Sequence, residues 1–130
     1  MIDGRTGKLI QRVFGADEAI GVSLGKEASE KLIRDFAGES IAIHNHPTNL
    51  WPTGDDYAVA GYRKYRMGIV VTHSGRVFKY TTGRQPILPT TINTTLVKYF
   101  TSPYNLDVDE AFSRAMQDLK GFGIQCVELK

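Results

Sequence analysis

The sequence predicts a mixed α/β protein in which a sheet is flanked by helices. Short apolar runs of strand length recur along the chain, most clearly at residues 40–46 and 67–72. A longer segment, residues 108–120, instead repeats its apolar side chains at the i, i+3, i+4 and i+7 spacing of one helix face. Because strand and helix patterns follow one another along the chain, we expect both to share one sheet-based fold.

The composition is ordinary for a globular protein. With 130 residues, of which 42% are apolar and 23% charged, the chain can build one hydrophobic core but not two. A net charge of +2 is too small to indicate a nucleic-acid or membrane partner by its field. Cys126 is the single cysteine, which excludes an intramolecular disulfide and a cysteine-rich zinc site. We therefore expect a single domain over residues 1–130, in a soluble cytoplasmic protein without a membrane span or a signal peptide.

In the first part of the chain, turn residues separate the predicted elements. The glycines of residues 3–7 indicate a turn, because glycine tolerates the positive φ that tight turns require. Gly38 suits the end of a helix, and Pro47 ends a strand. The elements predicted here are strands at residues 8–14 and 19–24, a helix at 26–37 and a strand at 40–46.

In the rest of the chain, helix caps and a hairpin turn mark the elements. Thr53 followed by Asp56 is a capping pattern, in which the acid also suits the positive end of the helix dipole. Asp107 and Gly121 bound the clearest amphipathic helix. The predicted elements are a helix from 56 to about 66, hairpin strands at 67–72 and 76–81, helices at 91–100 and 108–120, and a strand at 123–129.

Two histidines mark a candidate metal site. His44 and His46 stand two residues apart at the end of a strand, so their side chains point to the same side of the sheet. Asp56 follows in the first turn of the next helix as a third ligand. Asp55 is the alternative, but the N3 position turns Asp56 back toward the helix start. Three nitrogen and oxygen ligands with an open fourth position are typical of a catalytic zinc (Zn²⁺) site.

The chemistry of such a site favours hydrolysis. Two neutral imidazoles and one carboxylate leave zinc with net positive charge, so it can acidify water and polarise a carbonyl group. Thr53 stands where its hydroxyl could donate to a developing oxyanion. The same hydroxyl could instead cap the helix, and the two roles do not exclude each other.

These residues resemble the motif of the JAMM/MPN metalloprotease family. His44-Asn45-His46-Pro47 and Thr53-x-x-Asp56 are similar to its His-x-His, loop and Ser-x-x-Asp pattern, especially as written in RadC-like members and in JAMM-like domains of phages and mobile elements. The resemblance covers about residues 3–81, and residues 82–130 would be a helical extension with a final strand. It implies a cytidine-deaminase-like fold, zinc held by His44, His46 and Asp56, and hydrolysis of a peptide or isopeptide bond in a peptide or protein substrate.

The chain departs from the family most clearly in the general base. The family's catalytic glutamate opens an early strand, whereas here no glutamate precedes Glu18. Glu18 and Glu27 are the candidates we carry forward; Glu30 and Glu39 are the other glutamates that precede the histidines. Three interpretations stay open: a local glutamate substitutes, the base lies in an N-terminal segment outside this sequence, or the protein binds metal without peptidase activity.

Two alternatives therefore accompany the peptidase hypothesis. One is a non-catalytic, metal-binding structural or assembly module of a phage or mobile element. The other, which follows the RadC similarity, is a nucleic-acid-associated protein, for which residues 62–66 interleave tyrosines with arginine and lysine. We favour a solvated helix face as the explanation of that segment.

Overall fold

The computed structural model describes residues 1–13, 24–83 and 85–130. In these ranges the chain is mixed α/β, as predicted, with a five-stranded mixed sheet and four α-helices. The elements are β1 Ile2–Asp3, α1 Lys26–Phe36, β2 Ser40–His46, α2 Gly54–Tyr62, β3 Met67–Thr72, β4 Val77–Thr81, α3 Pro89–Phe100, α4 Val108–Leu119 and β5 Gln125–Leu129, with a 3₁₀ turn at Lys120–Phe122. No helix within the described ranges combines the length and apolar character needed to cross a bilayer.

The strands lie side by side in sequence order, and one pair is parallel. β2 and β3 run in the same direction, with α2 as the crossover between them, whereas the other three pairs are antiparallel. In the parallel pair, His44 lies opposite Val70 and His46 opposite Thr72. Both histidines therefore project from the carboxyl end of β2 on the face that carries Val70.

The core lies on that same sheet face. Fully or almost fully buried side chains come from α2, α3, α4, β3 and β4, among them Tyr57, Val70, Phe78, Ile92, Leu96 and Phe112. The C-terminal segment, for which the sequence offered no motif, supplies two of these helices and the fifth strand of the sheet. Burial of this apolar surface therefore joins both halves of the chain.

The prediction of a strand at residues 8–14 is wrong for residues 8–13. Only an isolated bridge between Leu9 and Ile2 forms, flanked by backbone hydrogen bonds to Met1 and Asp3. β1 has only two residues, so residues 8–13 cannot form a longer run of strand hydrogen bonds with it. Phe14 and residues 19–23 of the second predicted strand lie outside the described residues, and Leu24 is not in a strand.

The helix predicted from 56 to about 66 ends earlier, at Tyr62. Lys64 adopts a left-handed φ of 54°, and the amide of Tyr65 bonds to the carbonyl of Ala60. The amide of Arg66 then bonds to Ser40 in β2. The chain leaves the helix early because it must turn to begin the parallel strand β3.

Gly68 in β3 provides a test of this packing. A Cβ atom built there would overlap the ring of Tyr80, which is 2% exposed in the core. We expect Gly68→Ala to lower the free energy of unfolding by about 1–3 kcal/mol, because an added methyl group overpacks the core. Gly121→Ala is the control, since open space surrounds that position. Urea denaturation of both variants measures the difference; equal stabilities would contradict the described packing.

Asp3 provides a pH-dependent test of the first strand. Its carboxylate accepts hydrogen bonds from the Arg5 guanidinium, the Arg5 backbone amide and the Thr6 hydroxyl, and together they lower its pKa to about 2. A lowered pKa stabilises the fold above the ordinary pKa of about 3.9, and this stabilisation disappears as the pH falls toward 2.

We therefore expect Asp3→Asn to reduce stability near neutral pH, with a difference from wild type that shrinks steadily below about pH 4. Urea denaturation across this range measures it. Asp35→Asn is the control, because Asp35 is exposed and pairs with its sequence neighbour Arg34 on the helix surface. A difference that stays constant down to about pH 2 would refute the assignment.

Candidate metal centre

The end of β2 presents both histidines to one point. His44 and His46 are half-buried on the core-facing side of the sheet, and their ring centroids lie 5.1 Å apart. Their Nε2 atoms approach each other to 3.2 Å. The alternation of side chains along a strand thus brings the two rings together, as the sequence spacing predicted.

The start of α2 adds the third side chain. Thr53 is the N-cap and Asp56 the N3 residue, whose Oδ2 accepts the Thr53 backbone amide at 2.7 Å and the Thr53 hydroxyl at 3.2 Å. These bonds confirm the predicted capping pattern and fix the carboxylate against the helix start. The other carboxylate oxygen, Oδ1, faces His44.

A contact from α3 supports this helix start. The backbone amide of Gly54 donates to the side-chain oxygen of Asn93 at 3.0 Å. A Cβ atom at position 54 would collide with the carbonyl of Pro89, so only glycine allows this close approach. The position of Asp56 therefore depends on α3 as well as on its own helix.

The distances within the cluster are compatible with a metal site. His44 Nε2 lies 2.9 Å from Asp56 Oδ1, and His46 Nε2 lies 3.2 Å from Asp56 Oδ2. Ligand atoms bound tetrahedrally to zinc at ordinary bond lengths are about 3.3 Å apart. His44, His46 and Asp56 could therefore hold a metal ion with little rearrangement.

A backbone carbonyl orients His46. Its Nδ1 lies 3.2 Å from the carbonyl oxygen of Leu50, and since a carbonyl only accepts, Nδ1 carries the proton. The free lone pair then belongs to Nε2, which faces Asp56 and His44. Such an outer hydrogen bond is the usual companion of a metal-binding histidine.

The electrostatics also suit a cation. Burial raises the pKa of Asp56, but hydrogen bonds from both histidines and the Thr53 amide outweigh it and hold the pKa well below its usual range. Burial lowers the pKa of His46, but the neighbouring Asp56 carboxylate raises it by more, so the net shift of the pKa is upward. The carboxylate thus stays ionised and attracts positive charge, whether a proton or a metal.

The predicted site residues divide into those the structure brings together and those it does not. Asp56, and not the exposed Asp55, joins the histidines, and Thr53 contacts Asp56. Glu27 is exposed in the first turn of α1 and makes no contact with the cluster. The start of α1 lines a cleft together with Tyr62 and Arg63. This cleft lies at the C-terminal end of α2, whereas Asp56 lies in the first turn of that helix. Glu18 lies outside the described residues.

Sequence patterns missed the contacts between residues that are distant along the chain. The Trp51 ring packs on Phe78 and Phe112 in the core, and its Nε1 donates to Asp109 at 2.8 Å. Arg76 also binds Asp109. No local pattern links these positions, so the sequence carried no signal for them.

No protein-family model, curated protein or solved structure matches this chain.

Metal analysis tests the centre directly. We expect the purified wild-type protein to retain one zinc ion per chain after dialysis, because three ligands converge with suitable spacing. His44→Ala and Asp56→Asn should retain far less. The matched controls are His73→Ala, an exposed turn histidine, and Asp55→Asn, the exposed neighbour in the same helix turn.

Elemental mass spectrometry should count iron together with zinc, because two histidines and one carboxylate also suit Fe(II). Wild-type protein with much less than one metal ion per chain, or His44→Ala with as much as wild type, would overturn the assignment.

Proposed function

We propose that this protein is a zinc-dependent metallopeptidase that hydrolyses a peptide or isopeptide bond. The observation that carries the proposal is the convergence of His44, His46 and Asp56 within 2.9–3.2 Å of one another, built from a His-x-His strand end and a Thr-x-x-Asp helix start. The resemblance of these residues to the JAMM/MPN motif supports the same conclusion and a cytidine-deaminase-like arrangement.

His44, His46 and Asp56 would hold the metal. Zinc at such a site supplies a Lewis acid that polarises a carbonyl and makes water acidic enough to act as a nucleophile near neutral pH. The protein's part is to orient the ligands and to keep the carboxylate ionised. The Leu50 carbonyl orients the His46 ring with Nε2 toward the site, and the Thr53 amide holds Asp56 and favours its ionised form.

Thr53 has a second role in the proposal. Its hydroxyl is a single donor 3.2 Å from Asp56 Oδ2, a long contact that can be exchanged. When substrate is bound, this hydroxyl would donate to the oxyanion that develops on the scissile carbonyl, and the backbone amide would continue to hold Asp56.

A cleft beside the loop between the ligands offers room for substrate. It has a volume of about 530 Å³ and is bordered by Asn49 and Leu50 on the loop and by Val108 at the start of α4. Leu50 and Val108 expose apolar surface there. An extended chain lying over the loop would place a side chain in this cleft.

The non-catalytic metal-binding module is the second candidate, and one observation favours it. Among residues 1–13, 24–83 and 85–130, no glutamate joins the metal-ligand cluster. A peptidase needs a base within hydrogen-bond reach of the attacking water. Glu18 and Glu27 stay proposals for that role. No contact among the described residues supports the nucleic-acid alternative. Arg63 and Arg66 instead donate hydrogen bonds within the protein, to the Tyr65 hydroxyl and to the Gly4 carbonyl.

Peptidase activity is tested with a library of quenched fluorogenic peptides together with peptides branched through a lysine side-chain amide. We expect zinc-loaded wild-type protein to cleave members of this set and metal-free protein to cleave none. Thr53→Val should lower kcat about 10²-fold by removing the oxyanion donor, whereas Thr53→Ser should stay close to wild type. Zinc content must be equal in all three.

The base is tested with Glu18→Gln and Glu27→Gln. A large loss of kcat at one of them, with zinc retained, identifies the base. Stoichiometric zinc with no cleavage of any library member would instead support the non-catalytic module and end the peptidase proposal.

A further inference from the structure

The loop between His46 and Thr53 has no regular secondary structure, so contacts with the rest of the molecule must set its position. Asn49 accepts a hydrogen bond from the Ser74 amide in the β3–β4 turn at 2.9 Å. Trp51 packs against the core: its ring lies 4.8 Å from the ring of Phe78 and stacks on Phe112 at 5.5 Å. These two partners belong to β4 and α4, both remote in sequence.

Two charged residues, Asp109 and Arg76, also hold the Trp51 side chain in place. The indole Nε1 donates to Asp109 Oδ1 at 2.8 Å, and the Arg76 guanidinium donates to the same oxygen at 3.0 Å. Arg76 is itself fixed by a bidentate pair with Glu128 at 2.9 and 3.0 Å, and it lies over the Phe78 ring at 5.0 Å. A bidentate pair with ring stacking gives arginine one defined orientation.

Trp51 is one peptide bond away from Leu50, whose carbonyl contacts the metal ligand His46. The Leu50 carbonyl that accepts from His46 Nδ1 belongs to the planar unit that ends at the Trp51 Cα atom. Fixing Trp51 therefore fixes the direction of that carbonyl. The carbonyl in turn sets the tautomer and ring orientation of His46.

We propose that Asp109 and Arg76 are positioning residues for the metal centre, acting through Trp51 and the Leu50 carbonyl on His46. This inference rests on the proposed metal site. It assigns a role in metal binding to α4 and to the β3–β4 turn, neither of which supplies a ligand.

The experiment measures zinc affinity of the folded protein by competition with a chromophoric chelator. Changes in groups that orient a metal ligand typically cost 10–100-fold in affinity, and Asp109 acts one step further out, so we expect Asp109→Ala to weaken zinc binding about tenfold. Trp51→Phe, which keeps the ring stacking and loses the Nε1 donor, should weaken it by a similar factor. Asp109→Asn, which keeps an acceptor oxygen, should recover part of the loss.

Asp118→Ala is the matched control. Asp118 also lies on α4 and also pairs with a cation and an aromatic hydroxyl, Lys98 and Tyr99, but it makes no contact with the ligand loop. We expect it to reduce stability without changing zinc affinity. If Asp109→Ala and Asp118→Ala change zinc affinity equally, Asp109 has only a structural role and the inference fails.

A second readout reports the loop itself. Trp51 is the single tryptophan, so its fluorescence follows the loop directly. We expect a red-shifted emission in Asp109→Ala, and a change in wild-type emission when zinc binds, because coupling between two sites is reciprocal. If Asp109→Ala binds zinc as tightly as wild type, this inference alone is rejected. If the wild-type protein binds no zinc, the proposed function is rejected.

Discussion

The hydrogen bonds from Thr53 to Asp56 are the interaction on which the candidate site depends. They satisfy amide and hydroxyl donors at the start of α2, and at the same time they hold a carboxylate where the end of β2 presents two histidines. Helix capping alone would hold the carboxylate equally well without the histidines, and the histidines alone would lack an anionic partner. The parallel pairing of β2 with β3 joins the two, because the crossover must start α2 next to the strand end.

The C-terminal half of the chain determines how firmly this arrangement is held. Asn93 of α3 bonds to the first residue of α2, and Phe112 of α4 stacks on the tryptophan of the ligand loop. Both contacts lie in or beside the core that α3 and α4 form on the sheet. A segment without any recognisable motif therefore carries much of the positioning that a metal site needs.

Sequence patterns predicted the parts of this structure that rest on local rules. The period of two in β2, the Thr53-x-x-Asp56 cap and the amphipathic stripe of α4 each involve residues within one or two turns, and each is found where the sequence places it. The strand predicted at residues 8–14 does not form over residues 8–13, because its pairing depends on β1, which has only two residues. The contacts of Arg76 with Asp109 and Glu128 join positions 33 and 52 residues apart, and only the folded sheet brings them together.

The arrangement of hydrogen-bond donors and acceptors in the cluster favours a cation at its centre. Because Nδ1 of His46 donates to the Leu50 carbonyl, a neutral His46 has only a lone pair at Nε2, and that lone pair faces Asp56 Oδ2 at 3.2 Å. Two acceptors so close repel each other unless positive charge lies between them or on the imidazole. Without metal, the raised pKa of His46 reflects a proton that supplies this charge. A metal ion would supply it to all three side chains at once, and it would release that proton on binding.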